Sequence, residues 1–432
     1  MSGAARCTSA SRPATVPAVA GTFSPQRPLL RLDDRRYSPA LWQQIVELAA
    51  RLKSAQQAQI ALRVLDHLKI STRHIGTLTK EIGLELAQAR DEKVGKHRRR
   101  QLQPQVQNPP EVVALEVDGG RLETRQPGCG PGVHQEQNKE DKIACLVSLS
   151  SQQHAQDPQP EPPPSFVDPP RVARLVQQMQ QQTAPQAPPT EPVESPQAEP
   201  SPAAQEDWPG APKRLVRTCV ASMVNSRAFG PMVAAEAQSR GFYQAKRGAF
   251  VGDGQKYNWT IQRAYFPHFE AIADLLHVLC YLYQAAWAVG AASGQGWSLY
   301  VQWLRACWQG RVAEVIKQLR WWQEQLGPPQ VDQEGADPRQ QVSATLVYLS
   351  NNQGKMDYPR YRREGLPITS SLVESLVGEF NDRVKAKNKY WNRPEGAEAI
   401  LQVRAAVLSE DERLARHFAD RPGNPFRRRA SK

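Results

Sequence analysis

Cysteine is scarce and unpaired in this chain. Its six residues, Cys7, Cys129, Cys145, Cys219, Cys280 and Cys307, contain no Cys-x-x-Cys step. That pattern excludes a thiolate zinc element and a disulfide frame, and it reads as reduced thiols of a cytosolic protein. Long apolar runs are missing too. Residues 1–30 contain no acid but also no continuous apolar core of signal-peptide length, so a disordered tail over 1–36 is expected. The longest apolar stretch, Leu275 to Ala292, holds His277 and Gln284 inside and Asp274 just before, which makes it a buried core helix and argues against a membrane span. Acidic charge is in deficit: 43 Asp and Glu against 55 Lys and Arg leave +12, which favours a polyanionic partner. With 432 residues there is room for two or three domains and a sizeable core.

What is present is a repeated strand-end pattern. Ala249-Phe250-Val251 runs into Gly252-Asp253-Gly254, and the apolar run from Val112 to Val117 runs into Asp118-Gly119-Gly120. Each delivers one carboxylate to the rim of a sheet, with glycines permitting a tight exit. Asp-Gly is also a preferred turn pair with no chemistry. A third acid stands on a late helix beginning at Thr369-Ser370-Ser371, where Val373, Leu376, Val377, Phe380 and Val384 share one face. Glu374 lies at the margin of that face, and Glu379, at the opposite margin, is the alternative.

The rest of the chain arranges itself around these acids. Over 37–100 a helical unit is expected: Ser38-Pro39 caps one helix, and Ser54 with Gln57 forms a capping box for a second. Two short helices follow, near 70–75 and 78–83. This unit is either helix-turn-helix-like, its second short helix entering a DNA major groove, or a small packing bundle. Arg73, Lys80 and the basic run Arg98, Arg99 and Arg100 are its candidate DNA contacts, although basic runs also occur as solvated faces.

Residues 101–110 read as a linker and 111–149 as the first part of an α/β core, with strands at 111–118, 121–125 and 142–149. The Pro/Gln-rich stretch 150–212 cannot bury enough apolar surface to offset its chain entropy, so disorder is expected, with a transient helix near 171–179. Residues 213–265 supply the second part of the core, a helix through Val220, Met223, Val224, Phe229, Met232 and Ala235 feeding the strand at Phe250. Residues 266–365 read as an all-helical insertion in which Trp287, Trp297, Trp303, Trp308, Trp321 and Trp322 form a core or present stacking platforms for bases. Helices over 366–410 and a basic tail over 411–432 complete the chain.

Three acids at one sheet rim are either unrelated or a hard, oxygen-rich site suited to Mg²⁺ or Mn²⁺. Clustered carboxylates repel one another unless a cation holds them ionised together. Two ions about 3.5–4 Å apart would clamp the attacking and leaving oxygens of a phosphodiester.

In order along the chain, Val117-Asp118-Gly119, Gly252-Asp253-Gly254, Trp259, Phe266-Pro267, Asp274-Leu275-Leu276-His277 and Ser370-Ser371-Leu372-Val373-Glu374-Ser375 resemble a DDE transposase of the bacterial insertion-sequence type related to the Mutator group. Asn381-Asp382-Arg383, Trp391 and the run from Glu395 to Arg404 extend the likeness. The resemblance implies an RNase H-like mixed sheet with flanking helices. It implies Asp118, Asp253 and Glu374 as catalytic residues and ligands of two Mg²⁺ or Mn²⁺ ions, with His277 and Asp274 in support. Arg383, Lys385, Lys387 and Lys389 would contact phosphates. The implied activity is strand cleavage and strand transfer on double-stranded DNA, both element ends and target, by a homo-oligomer in the cytoplasm at the nucleoid, with no membrane. A DNA-binding regulator without catalysis and an RNase H-like nuclease are the alternatives.

Overall fold

The computed structural model describes residues 37–124, 137–183, 208–291, 293–329, 337–384, 391 and 394–421. Helices α1 (Pro39–Arg51), α2 (Ala55–Leu65) and α3 (Thr72–Arg98) precede the first strand. The strands are β1 (Val112–Thr124), β2 (Gln137–Ser150), β3 (Lys213–Ser222), β4 (Arg247–Gly252) and β5 (Glu270–Ala273). Between β2 and β3 lies α4 (Pro169–Thr183); α5 (Ser226–Ser239) follows β3, and α6 (Lys256–Tyr265) joins β4 to β5. After β5 come α7 (Leu275–Gly290), α8 (Gly296–Trp308), α9 (Val312–Leu326), α10 (Pro338–Asn352) and α11 (Tyr358–Arg363). The described part ends with α12 (Ser371–Val384), α13 (Pro394–Leu408) and α14 (Arg413–Asp420).

The chain is thus mixed α/β around one five-stranded sheet of order β3-β2-β1-β4-β5. β1 and β2 pair antiparallel, as do β2 and β3, whereas β4 runs parallel to β1 and β5 parallel to β4. Alternation along β1 divides its side chains between two cores. Val113, Leu115 and Val117 join Phe229, Val233 and Trp259 of α5 and α6. Val112 and Ala114 join Leu376, Phe380 and Leu401 of α12 and α13, together with the tryptophan-rich helices. A sheet covered on both faces needs the near-continuous apolar runs seen in β1 and β4.

Ser38 and Ser54 cap α1 and α2 as expected, accepting from the backbone N–H groups of Leu41 and Gln57. The two short helices expected near 70–83 are instead one helix, α3. Ile75, Leu78 and Ile82 stay buried on its inner face, and Gly76 and Gly83 do not break it. Gly83 has a packing role: a Cβ there would lie 2.2 Å from the carbonyl oxygen of Ala399, so α3 and α13 touch backbone to backbone.

Three other expectations change. The segment 213–222, expected to begin a helix, is the edge strand β3, and β5 adds a strand inside the supposed all-helical insertion. The first half of the Pro/Gln-rich stretch is ordered, because distant residues supply its partners. Phe166, Val172, Val176 and Met179 are buried in the helical core, Asp157 pairs with the buried Arg362 at 2.5 Å, and the Trp308 indole donates to the carbonyl of Gln159 at 2.8 Å. The supposed basic tail begins with α14, whose Leu414 and Phe418 are buried against α1 and α3. Of the tryptophans, Trp303 and Trp308 are wholly buried, whereas Trp287 and Trp321 are exposed. No described helix is long and apolar enough to cross a membrane.

Candidate active site

The two acids expected at strand ends come together. Asp253 sits just past β4, where its Oδ1 accepts from the backbone N–H of Gln255 at 3.0 Å and from the Asn258 amide at 2.8 Å. The same Asn258 nitrogen donates to the carbonyl of Val117 at 3.1 Å, so one buried amide ties Asp253 to the residue before Asp118. The turn after Asp253 requires glycine: Gly254 has φ +94°, and a Cβ there would lie 2.6 Å from the Tyr348 ring.

Asp118 differs from expectation in one respect. It lies inside β1, which continues to Thr124 as a ribbon with β2, and does not end the strand. By alternation it shares the face of Val112 and Ala114, against which α12 packs. Burial and then the negative charge of Asp253 push its carboxyl up to about 6; Asp141 adds to this, while the Gly119 N–H at 2.7 Å and His277 oppose it. Asp141, on β2 opposite Gly120, is wholly buried, and a Cβ at Gly120 would come within 2.6 Å of its carboxylate. Sequence reading missed this acid, since only the hairpin register brings it beside Asp118.

Asp274 and His277 form a supporting unit. Asp274 follows β5, is wholly buried and caps α7, accepting from the N–H groups of Leu276 and His277. It also accepts from the Ser370 N–H at 2.7 Å and hydroxyl at 2.8 Å, and its Oδ2 lies 2.6 Å from His277 Nδ1. Burial alone would raise this carboxyl, yet the hydrogen bonds from His277 and Ser370 hold it below its ordinary value. A carboxylate only accepts, so Nδ1 of His277 carries the proton.

Through Ser370 the same unit sets the start of α12. The backbone of Glu374 lies in the first turn of α12, one turn beyond this anchor; its side chain lies outside the described residues. Glu379, the alternative third acid, is committed elsewhere: it accepts from Arg217 of β3 at 3.0 Å, at the edge of the sheet away from β4.

Among the described residues, no group of three or more His, Cys, Asp or Glu side chains is placed to hold a metal ion. Asp118 and Asp253 supply two carboxylates. Of the candidate DNA contacts, Arg73, Lys80, Arg98, Arg99 and Arg100 are exposed, as phosphate contact requires. Arg383 is not. It is buried, and its Nε donates to the carbonyl of Ala49 at the end of α1, so it serves packing and not a surface contact. Lys385, Lys387 and Lys389 lie outside the described residues. No protein-family model matches the chain, and no curated protein is similar to it.

Proposed function

We propose that the chain is a DDE-type DNA transposase built on an RNase H-like core. Supporting the core is the sheet order, three antiparallel strands extended by two parallel ones. The observation that carries the reading is the Asp118–Asp253 pair: two acids far apart in sequence, Asp253 tied by one amide to the residue before Asp118, whose carboxyl a cation would relieve. Their all-oxygen chemistry fits Mg²⁺ or Mn²⁺. Asp118 and Asp253 would hold the ions, with Glu374 as third ligand, and bound ions would neutralise charge on the transferring phosphoryl group.

Each residue then has a task. Asn258 fixes the spacing of the acid pair. Asp274 orients His277 and anchors the helix that carries Glu374. Arg73, Lys80 and Arg98 to Arg100 bind phosphates along double-stranded DNA, with a strong salt dependence.

The test is incubation of the protein with labelled element-end duplex and Mg²⁺. Cleaved and joined products are expected. Asp118→Asn, Asp253→Asn and Glu374→Gln should each lower product formation by about a thousandfold or more while DNA retention persists. Cleavage without joining would make the chain a nuclease, and binding with neither would make it a regulator.

A further inference from the structure

We propose that the groove between α8 and α9 binds an unpaired stretch of a DNA strand, one base stacking on Trp297 and the adjoining phosphates meeting Arg305 and Arg311. The proposal rests on the DNA reading above for its ligand class, and it adds a site that shares no residue with the acid pair.

A cavity of about 490 Å³ lies between these two helices, lined by Trp297, Val301 and Arg305 of α8 and by Arg311, Glu314 and Gln318 at the start and along the length of α9. Trp297, Val301 and Arg305 follow one another at steps of four, so they share one face of α8, the first and last about 12 Å apart along its axis. The wholly buried Tyr300 braces the tryptophan, ring centroids 5.1 Å apart. At the other end the two arginines are gathered by shared acceptors. Arg305 donates to Glu161 Oε2 at 2.8 Å, Gln309 donates to Glu161 Oε1 at 2.9 Å, and Arg311 donates to Gln309 at 2.6 Å and to Glu314 at 2.5 Å. The Trp303 indole donates to Gln318 Oε1 at 2.7 Å, so Gln318 has its NH₂ group to offer a ligand.

The cavity is of nucleotide size and too narrow for a duplex. It sets an aromatic ring, an amide donor and a pair of guanidinium groups along one groove, and an unpaired base with its phosphates needs each of these. Every base has a π-face to stack, and the guanidinium fork matches phosphate oxygens. The Glu161 carboxylate now holds the place of the anion. It and Arg305 are both exposed, so their ion pair contributes little, and a phosphate can exchange for the carboxylate at small cost.

The experiment follows the fluorescence anisotropy of a short labelled oligothymidylate and of an abasic strand of equal length. Wild type should bind the base-bearing strand about tenfold more tightly, as for one stacked base. Trp297→Ala should remove that preference and leave binding of the abasic strand unchanged, which a loosened fold would not do. Arg305→Gln and Arg311→Gln should each lower the slope of log K against log salt by about 0.7, the effect of one lost phosphate contact on a single strand. Glu161→Gln, which removes the competing anion, should tighten binding of both strands about twofold to fivefold. A wild-type preference retained in Trp297→Ala, or wild-type salt slopes in both arginine variants, would overturn the proposal. So would a wild type that binds element-end duplex but neither strand, or both strands equally, and the transposase reading would then stand without this site. If the wild type binds neither strand nor duplex, the DNA reading falls and takes this proposal with it.

Discussion

Two carboxylates in this molecule, Glu236 buried and Asp118 half-buried, have opposite surroundings. Glu236, on α5 at its junction with α3 and α14, is 4% exposed and lies between Lys93 Nζ at 3.0 Å and Arg413 Nη2 at 2.6 Å. Burial alone would raise its pKa, yet those two cations hold it far below the ordinary value. Asp118 forms no ion pair among the described residues, and burial with the neighbouring Asp253 pushes it up to about 6. The contrast separates two uses of an acid. Where the countercharge belongs to the fold, the acid fastens helices together; where it is withheld, the acid meets what the proposed cation site would require.

Removing one partner from the fastened acid should have the largest effect on stability. Glu236→Gln leaves Lys93 and Arg413 without their shared carboxylate and should cost about 3–5 kcal/mol in urea unfolding. The opposite sign is expected at the other acid. The folded-state pKa of Asp118 lies above the ordinary 3.8, so the stabilisation from its protonated form is complete below about pH 4 and is lost as pH rises through about 6. Without metal, Asp118→Asn should therefore be more stable than wild type at pH 8 by on the order of 2–3 kcal/mol, and the gap should close at pH 4. A constant gap across that range would erase the contrast.

Smaller changes sharpen it. Gly83→Ala gains helix propensity but drives a methyl into the backbone of Ala399, so a net loss of about 1–3 kcal/mol is expected at the α3–α13 crossing, read as a lower Tm. Smallest of all, Glu379→Gln should cost under about 1 kcal/mol, because its partly exposed ion pair with Arg217 is screened by water. On the proposed function, DNA cleavage by that variant should match wild type, whereas Glu374→Gln should lose about a thousandfold or more.

Asp253 was legible because it follows an apolar run and precedes glycine, a local signature of a strand end; at Asp118 the same signature picked out the acid but misplaced the end of the strand, which runs on to Thr124. The serine caps of α1 and α2 were legible for the same reason. What escaped notice depends on distant partners. Strand β5 has only four residues, too few for periodicity to register. Helix α4 was expected to be only transient on composition, since the surface that orders it comes from α7 much later in the chain. Asp141 became visible only through its register opposite Gly120, and Tyr348 only through the glycine it touches. Helix α3 was misdivided because its glycines looked like punctuation, when one of them marks a close helix crossing.

The Asn258 amide acts as a caliper. One jaw grips a main-chain carbonyl of the central strand and the other a carboxylate on the neighbouring turn, so the gap between the two acids is gauged by a rigid planar group, independent of any loop's wandering. A substitution that shifts either backbone must therefore carry its neighbour along or open the jaws.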